Sequence, residues 1–130
     1  MSDTLTTLAA HSPQAERAMF GLPDWVVIGT ETAATTAATV AAVANKQHCV
    51  QKAVVSFSAA PGSALTFTIK DGSTTIFQAE IPAATTAPAV YTFERALPGT
   101  ANTAMTGNLA SAGGSVVGTI WMCGIDIMKP

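Results

Sequence analysis

From Asp24 onward, apolar and polar residues alternate along most of the chain with a period of two, as in strands with one buried face. The first such signal is WVVIG at residues 25–29, a short apolar run rich in β-branched side chains. Residues 32–44 (TAATTAATVAAVA) mix alanine, which favours helix, with threonine, which does not. In a chain of strands the extended reading fits 37–44, with a turn at Asn45-Lys46. In HCVQKAVVSFSAA one parity carries Cys49, Ala53, Val55 and Phe57, broken only by Gln51. The other carries Lys52, Ser56 and Ser58, with Val50 and Val54 among them. The first parity is the expected core face, and Pro61-Gly62 ends the strand.

The run TFTIKDGSTTIFQAEI at 66–81 places two alternating segments around an Asp-Gly pair, a strong hairpin signal. Directly paired residues share a face. Leu65, Phe67 and Ile69 are odd-numbered, as are Phe77, Ala79 and Ile81, so a two-residue Asp71-Gly72 loop would set core residues against polar ones. The register predicts a three-residue loop, Lys70-Asp71-Gly72, with Gly72 left-handed in a bulge. Ile69 then pairs with Ser73 and Leu65 with Phe77. Ile76 is left on the outer face as a candidate partner contact, and Pro82 ends the second strand.

Farther on, Ala89, Tyr91 and Phe93 share a face, and residues 94–102, with Pro98-Gly99, read as a long connection. Met105 and Leu109 flank Gly107 in a short strand within 103–110, and SAGG is a turn. The last strand, VVGTIWMCGIDIM, is apolar on both faces. It belongs in the middle of a sheet or against another subunit, with Ile120 and Met122 as candidate contacts. About eight short strands separated by turn signals predict an antiparallel two-sheet sandwich or barrel. The first 22 residues differ. Ser12-Pro13 starts and Gly21 stops a short helix over 13–20, within an arm of residues 1–22 ahead of a domain at 23–130. Leu5, Leu8, Met19 and Phe20 in the arm, and Trp25 just after it, are further candidate partner contacts.

Composition sharpens this picture. The 130 residues suffice for one domain, and only 11% are charged, against roughly 25% in soluble domains. With a net charge of −2 and six scattered Lys and Arg, no basic footprint for nucleic acid or an anionic membrane exists. Such a surface is either hydroxyl-rich or buried against other chains, and low net charge favours association. No apolar run approaches the roughly 20 residues that span a bilayer, and the start lacks a basic and apolar leader, so no secretory signal is expected. Cys49 and Cys123 are therefore expected to be buried and reduced.

Reactive chemistry is sparse. The histidines are His11, in the arm, and His48, which neighbours Cys49 but points to the opposite face, as a surface histidine would. Asp71, Glu80, Glu94 and Asp126 read as isolated acids, Asp71 serving its own turn. AGGS at 112–115 precedes a strand and is no phosphate cradle. Trp25, Tyr91 and Trp121 would be the only aromatic platform for a sugar, but the apolar setting of Trp121 suits a core or an interface better. The expectation is a protein that is no enzyme and needs no cofactor or metal.

Three runs, VVSFSAAPGSALTFTIKDGSTTIFQAEIPA, AVYTFERALPGTANTAMTGNL and ASAGGSVVGTIWMCGIDI, follow a rhythm. A serine-rich strand leads to a DG hairpin, a PG loop and a Gly-Gly turn before a closing strand. Over roughly residues 47–127 this resembles the small jelly-roll proteins of tailed-bacteriophage virions, above all capsid decoration (cement) proteins. The resemblance implies an all-β jelly roll of two sheets and a homotrimer docked on the major capsid protein at the outer surface of the virion, with help from an N-terminal arm. It carries over no catalytic residues. Two other classes stay open: a carbohydrate- or receptor-binding module of a neck, baseplate or fibre, and a secreted β-sandwich adhesin bridged through Cys49 and Cys123.

Overall fold

The computed structural model describes residues 22–129, which form eight strands and no helix. These are β1 (Trp25–Thr32), β2 (Thr36–Val40), β3 (Lys46–Phe57), β4 (Leu65–Asp71), β5 (Thr74–Ile81), β6 (Ala89–Ala101), β7 (Met105–Leu109) and β8 (Val117–Met128). They make two antiparallel four-stranded sheets, ordered β1-β8-β3-β6 and β2-β7-β4-β5. The pairs β1–β8, β2–β7, β3–β6 and β4–β5 nest inside one another along the sequence. The chain is thus one long hairpin whose tip is β4–β5, wrapped until β8 also pairs with β3 and β7 with β4. The expected helix over 13–20 and the arm residues Leu5, Leu8, Met19 and Phe20 lie outside the described residues.

The sheets meet through their inner faces. Phe67, Ile69, Ile81, Met105 and Leu109 from one sheet pack on Val50, Ala53, Val55, Ile120 and Met122 from the other. Burying each large side chain contributes roughly 1.5–3 kcal/mol. The closing strand lies between β1 and β3, where its two apolar faces place it. Ile120 and Met122 are both 0% exposed. They belong to the monomer's own core and are corrected here as partner contacts, because the inner parity of β8 is the one that meets the opposite sheet.

The two long edges of the sandwich close differently. Where β1 approaches β2, a Cβ on Gly29 would sit 2.0 Å from the carbonyl oxygen of Ala37, so backbone packs on backbone. Where β5 approaches β6, aromatic rings hold the sheets apart. Phe67 stacks on Tyr91 at 5.6 Å between centroids, and Phe77 meets Tyr91 and Phe93 edge-on at 5.2 and 5.1 Å.

Two bulges revise the expected faces. In β3, Val50 pairs with Gly124 and Lys52 with Cys123, which leaves Gln51 as an extra residue. The polar break in the core parity is therefore a bulge. His48 and Val50 face inward on one side of it, Ala53 and Val55 on the other. In the hairpin, Asp71 pairs with Thr74, Ile69 with Phe77 and Leu65 with Ile81, and the extra residue is Ile76. The loop is Gly72-Ser73, with Gly72 at φ +61°, a two-residue turn with glycine at its first central position. The shared odd face holds, but the bulge lies in the strand rather than the loop, and the pairing is Leu65 with Ile81 rather than Phe77. Asp71 reaches beyond its turn: its carboxylate accepts from the Thr100 amide at 3.0 Å and hydroxyl at 2.6 Å, tying the hairpin tip to β6.

Residues 94–101, expected as a connection, continue β6 instead. β6 is an edge strand, the place in a sheet that tolerates proline, and Pro98 pairs with Cys49 in a stretch where the β3–β6 register shifts on either side.

Gly29→Ala is expected to cost about 2 kcal/mol and to lower the melting temperature by roughly 10 °C. Gly62→Ala, whose Cβ would meet nothing within 4 Å, should leave it within about 3 °C of the parent. Thermal unfolding followed by circular dichroism checks both.

Candidate functional site

The described residues contain one buried polar cluster. His48 is 1% exposed, correcting its expected surface position. The β3 bulge turns it inward beneath Trp25, whose ring stands edge-on at 6.0 Å between centroids. Its Nε2 donates to the Ala41 carbonyl at 2.8 Å, and Nδ1 lies 2.6 Å from the Asp126 carboxylate. Asp126, expected to be isolated, also donates its backbone N–H to the Asp24 carboxylate at 2.8 Å. The cluster joins β1, β3, β8 and the β2–β3 loop. Both ring nitrogens are engaged in holding these strands together. Among the described residues no three His, Cys, Asp or Glu group as a metal site.

Cys49 and Cys123 are buried and unbridged. Burial pushes both thiols above their ordinary pKa, so at neutral pH they are protonated and poor nucleophiles.

The outer faces of the two sheets differ in character. On the β2-β7-β4-β5 sheet, paired positions present Ala37, Asn108, Thr68 and Gln78 in one row and Thr39, Thr106, Lys70 and Thr75 in the next. Two side-chain hydrogen bonds link positions there. Thr39 meets Thr106 at 3.1 Å, and Thr66 donates to Glu80 at 2.6 Å. On the β1-β8-β3-β6 sheet, the corresponding row is Ile28, Trp121, Val54 and Val90, apolar across all four strands. Ile28 is 64% exposed and Val90 55%. The next row is Val26, Cys123, Lys52 and Thr92, with Val26 also exposed. Beside it lies a cleft of about 570 Å³ whose lining includes Trp121, Lys52, Thr92, Phe93 and Glu94. Val43, Ile127 and Met128 are exposed near one end of the sandwich, where the β2–β3 loop meets the end of β8; Ile127 has the outward parity of Trp121 and Met128 the opposite one. A sandwich ordinarily alternates inner apolar with outer polar residues, and one of these sheets departs from that rule along a whole row.

Of the residues read as partner contacts, Trp25 is half-buried on the inner side of β1 and Ile76 is the half-buried bulge residue; both pack against the core. The apolar row contains neither of them. Trp121 does lie in it, half-buried and outward, far from the inward Trp25 and Tyr91, so no three-ring platform forms. Ile28, Val54 and Val90 escaped sequence reading singly. Each is an ordinary strand residue, and only cross-strand register aligns them.

Comparison of the chain with protein-family models, curated proteins and solved structures finds no match.

His48→Ala removes the buried ring that bridges the Asp126 carboxylate and the Ala41 carbonyl. Urea unfolding at neutral pH should show a loss of about 3 kcal/mol. A loss below about 0.5 kcal/mol would mean that the cluster holds nothing together.

Proposed function

We propose that this chain is a non-enzymatic virion structural protein of a tailed bacteriophage, a decoration protein that binds the assembled capsid and stabilises it. The observation that carries the reading is the apolar row Ile28–Trp121–Val54–Val90 on one outer face, opposite a face of hydroxyls and charges. A protein that works by burying surface on protein neighbours needs such an asymmetry. Contiguous exposed apolar area of this kind marks interaction sites. Exposed Val43 and Met128, off the apolar row, suit a chain with two kinds of neighbour, its own copies and the major capsid protein.

The sandwich itself is proposed to be a jelly roll. Four nested antiparallel pairs, wrapped into sheets β1-β8-β3-β6 and β2-β7-β4-β5, support that reading, since rolling up one long hairpin yields this order. The mechanism is mass action: a protein that binds only the assembled lattice raises the stability of that lattice. Copies joined to one another gain from multivalent attachment. A second reading, a carbohydrate-binding virion module, draws on the cleft, where Trp121 stands beside Lys52, Thr92 and Glu94.

Co-sedimentation with expanded heads of the phage that encodes the chain tests the proposal. Saturable binding to heads, with a higher melting temperature of the decorated heads, is expected. A chain that stays in the supernatant at every concentration contradicts it, and retention instead on host-surface glycans favours the second reading.

A further inference from the structure

We infer that the outer face of the β1-β8-β3-β6 sheet is the contact between two copies of this chain, packed face to face about a two-fold axis running along the strands. The inference deepens the burial reading above and rests on it, and it names the neighbour this face takes. Its two-fold order differs from the trimer that the phage resemblance implies.

The register makes the face self-complementary. An axis between β8 and β3, parallel to them, lays β1 of one copy over β6 of the other and β8 over β3. The apolar row then meets its own reverse: Ile28 faces Val90 of the second copy, and Trp121 faces Val54. Large side chains oppose smaller ones at each position. A two-fold axis along the row instead would set Trp121 on Trp121 and Ile28 on Ile28, crowding the centre.

The charges do not oppose this choice. Lys52 is the only charge in the two rows, and under this axis it faces the neutral Cys123 of the other copy. The two lysines fall on opposite sides of the axis, about 10 Å apart across the gap between packed sheets. Thr119 comes over Ser56, so the flanking row sets polar residue over polar residue. An isologous contact requires each residue to meet the counterpart of its own partner, and these rows do so.

The area is adequate for a reversible pair. Four strands about 4.8 Å apart and about eight residues long give a flat face on the order of 500 Å², and side-chain relief adds to that. Standard interfaces bury about 800 Å² per partner, so a weak dimer at the small end of specific contacts results. The opposite face, with its rows of hydroxyl, amide and charged side chains, has no comparable reason to be covered.

Sedimentation equilibrium of the full chain, between about 1 and 100 µM and without capsids, decides the matter. The mass should rise from 13.2 kDa towards twice that value, with a dissociation constant in the micromolar range. Ile28→Lys, at an exposed position, should weaken pairing at least tenfold, whereas Thr106→Lys on the other sheet should leave it unchanged. Val90→Lys serves as the second disrupting variant if Ile28→Lys melts at a lower temperature than the parent. A monomer at 100 µM, a trimer, or a dimer indifferent to both face variants overturns the inference. A monomer that loses head binding through Ile28→Lys also overturns it, placing the lattice on this face. Head binding is scored separately: a monomer that still decorates heads removes only the two-fold pair, and a dimer that ignores heads removes only the capsid reading.

Discussion

The structure depends on the contact between the inner faces of its two sheets. Once Phe67, Ile69, Met105 and Leu109 are committed against Val55, Ile120 and Met122, alternation assigns every neighbouring strand residue to the outside. Trp121 is outward because Ile120 and Met122 are inward, and Ile28 is outward because Gly29 must let the backbone of β2 come close. The apolar row is thus the other side of a well-packed core. The bulges at Gln51 and Ile76 reset this alternation where needed: one brings His48 inward, and the other keeps Phe77 on the core face across a two-residue turn.

Features set by local chemistry were legible in the sequence. The turns at Asn45 and at Gly113-Gly114 adopt the positive φ that their residue types suggest. Ala89, Tyr91 and Phe93 do share a face, Met105 and Leu109 do flank Gly107 inside, and the two-faced closing strand is central. What escaped reading depends on distant partners. A bulge and a polar residue on a core face look alike until the opposite strand is known, so Gln51 read only as an interruption. Pro98 reads as a strand breaker until β6 proves to be an edge. His48 looked like a surface residue because Asp126 lies 78 positions away.

The candidate site was legible in kind but not in place. A strand apolar on both sides announces that one side meets something other than its own core, but not which side. Ile120 and Met122 were on the wrong side of that choice, with Trp121 between them. Trp25 and Ile76 stood out because they are large and apolar in thinly populated surroundings, and both turn out to lean on the core. The row that distinguishes the two faces draws one residue from each of four strands between positions 28 and 121. Low charge pointed to buried surface, and only the sheet order places it.

The central claim is that one outer face is covered when the protein is at work and the other is not. Hydroxyl-radical footprinting of the assembled protein, compared with the dilute chain, tests this residue by residue. The account predicts strong protection of Ile28, Trp121 and Val90 on assembly, with labelling of Lys70 on the opposite sheet unchanged. Equal labelling of Ile28, Trp121 and Val90 in the two states would contradict it.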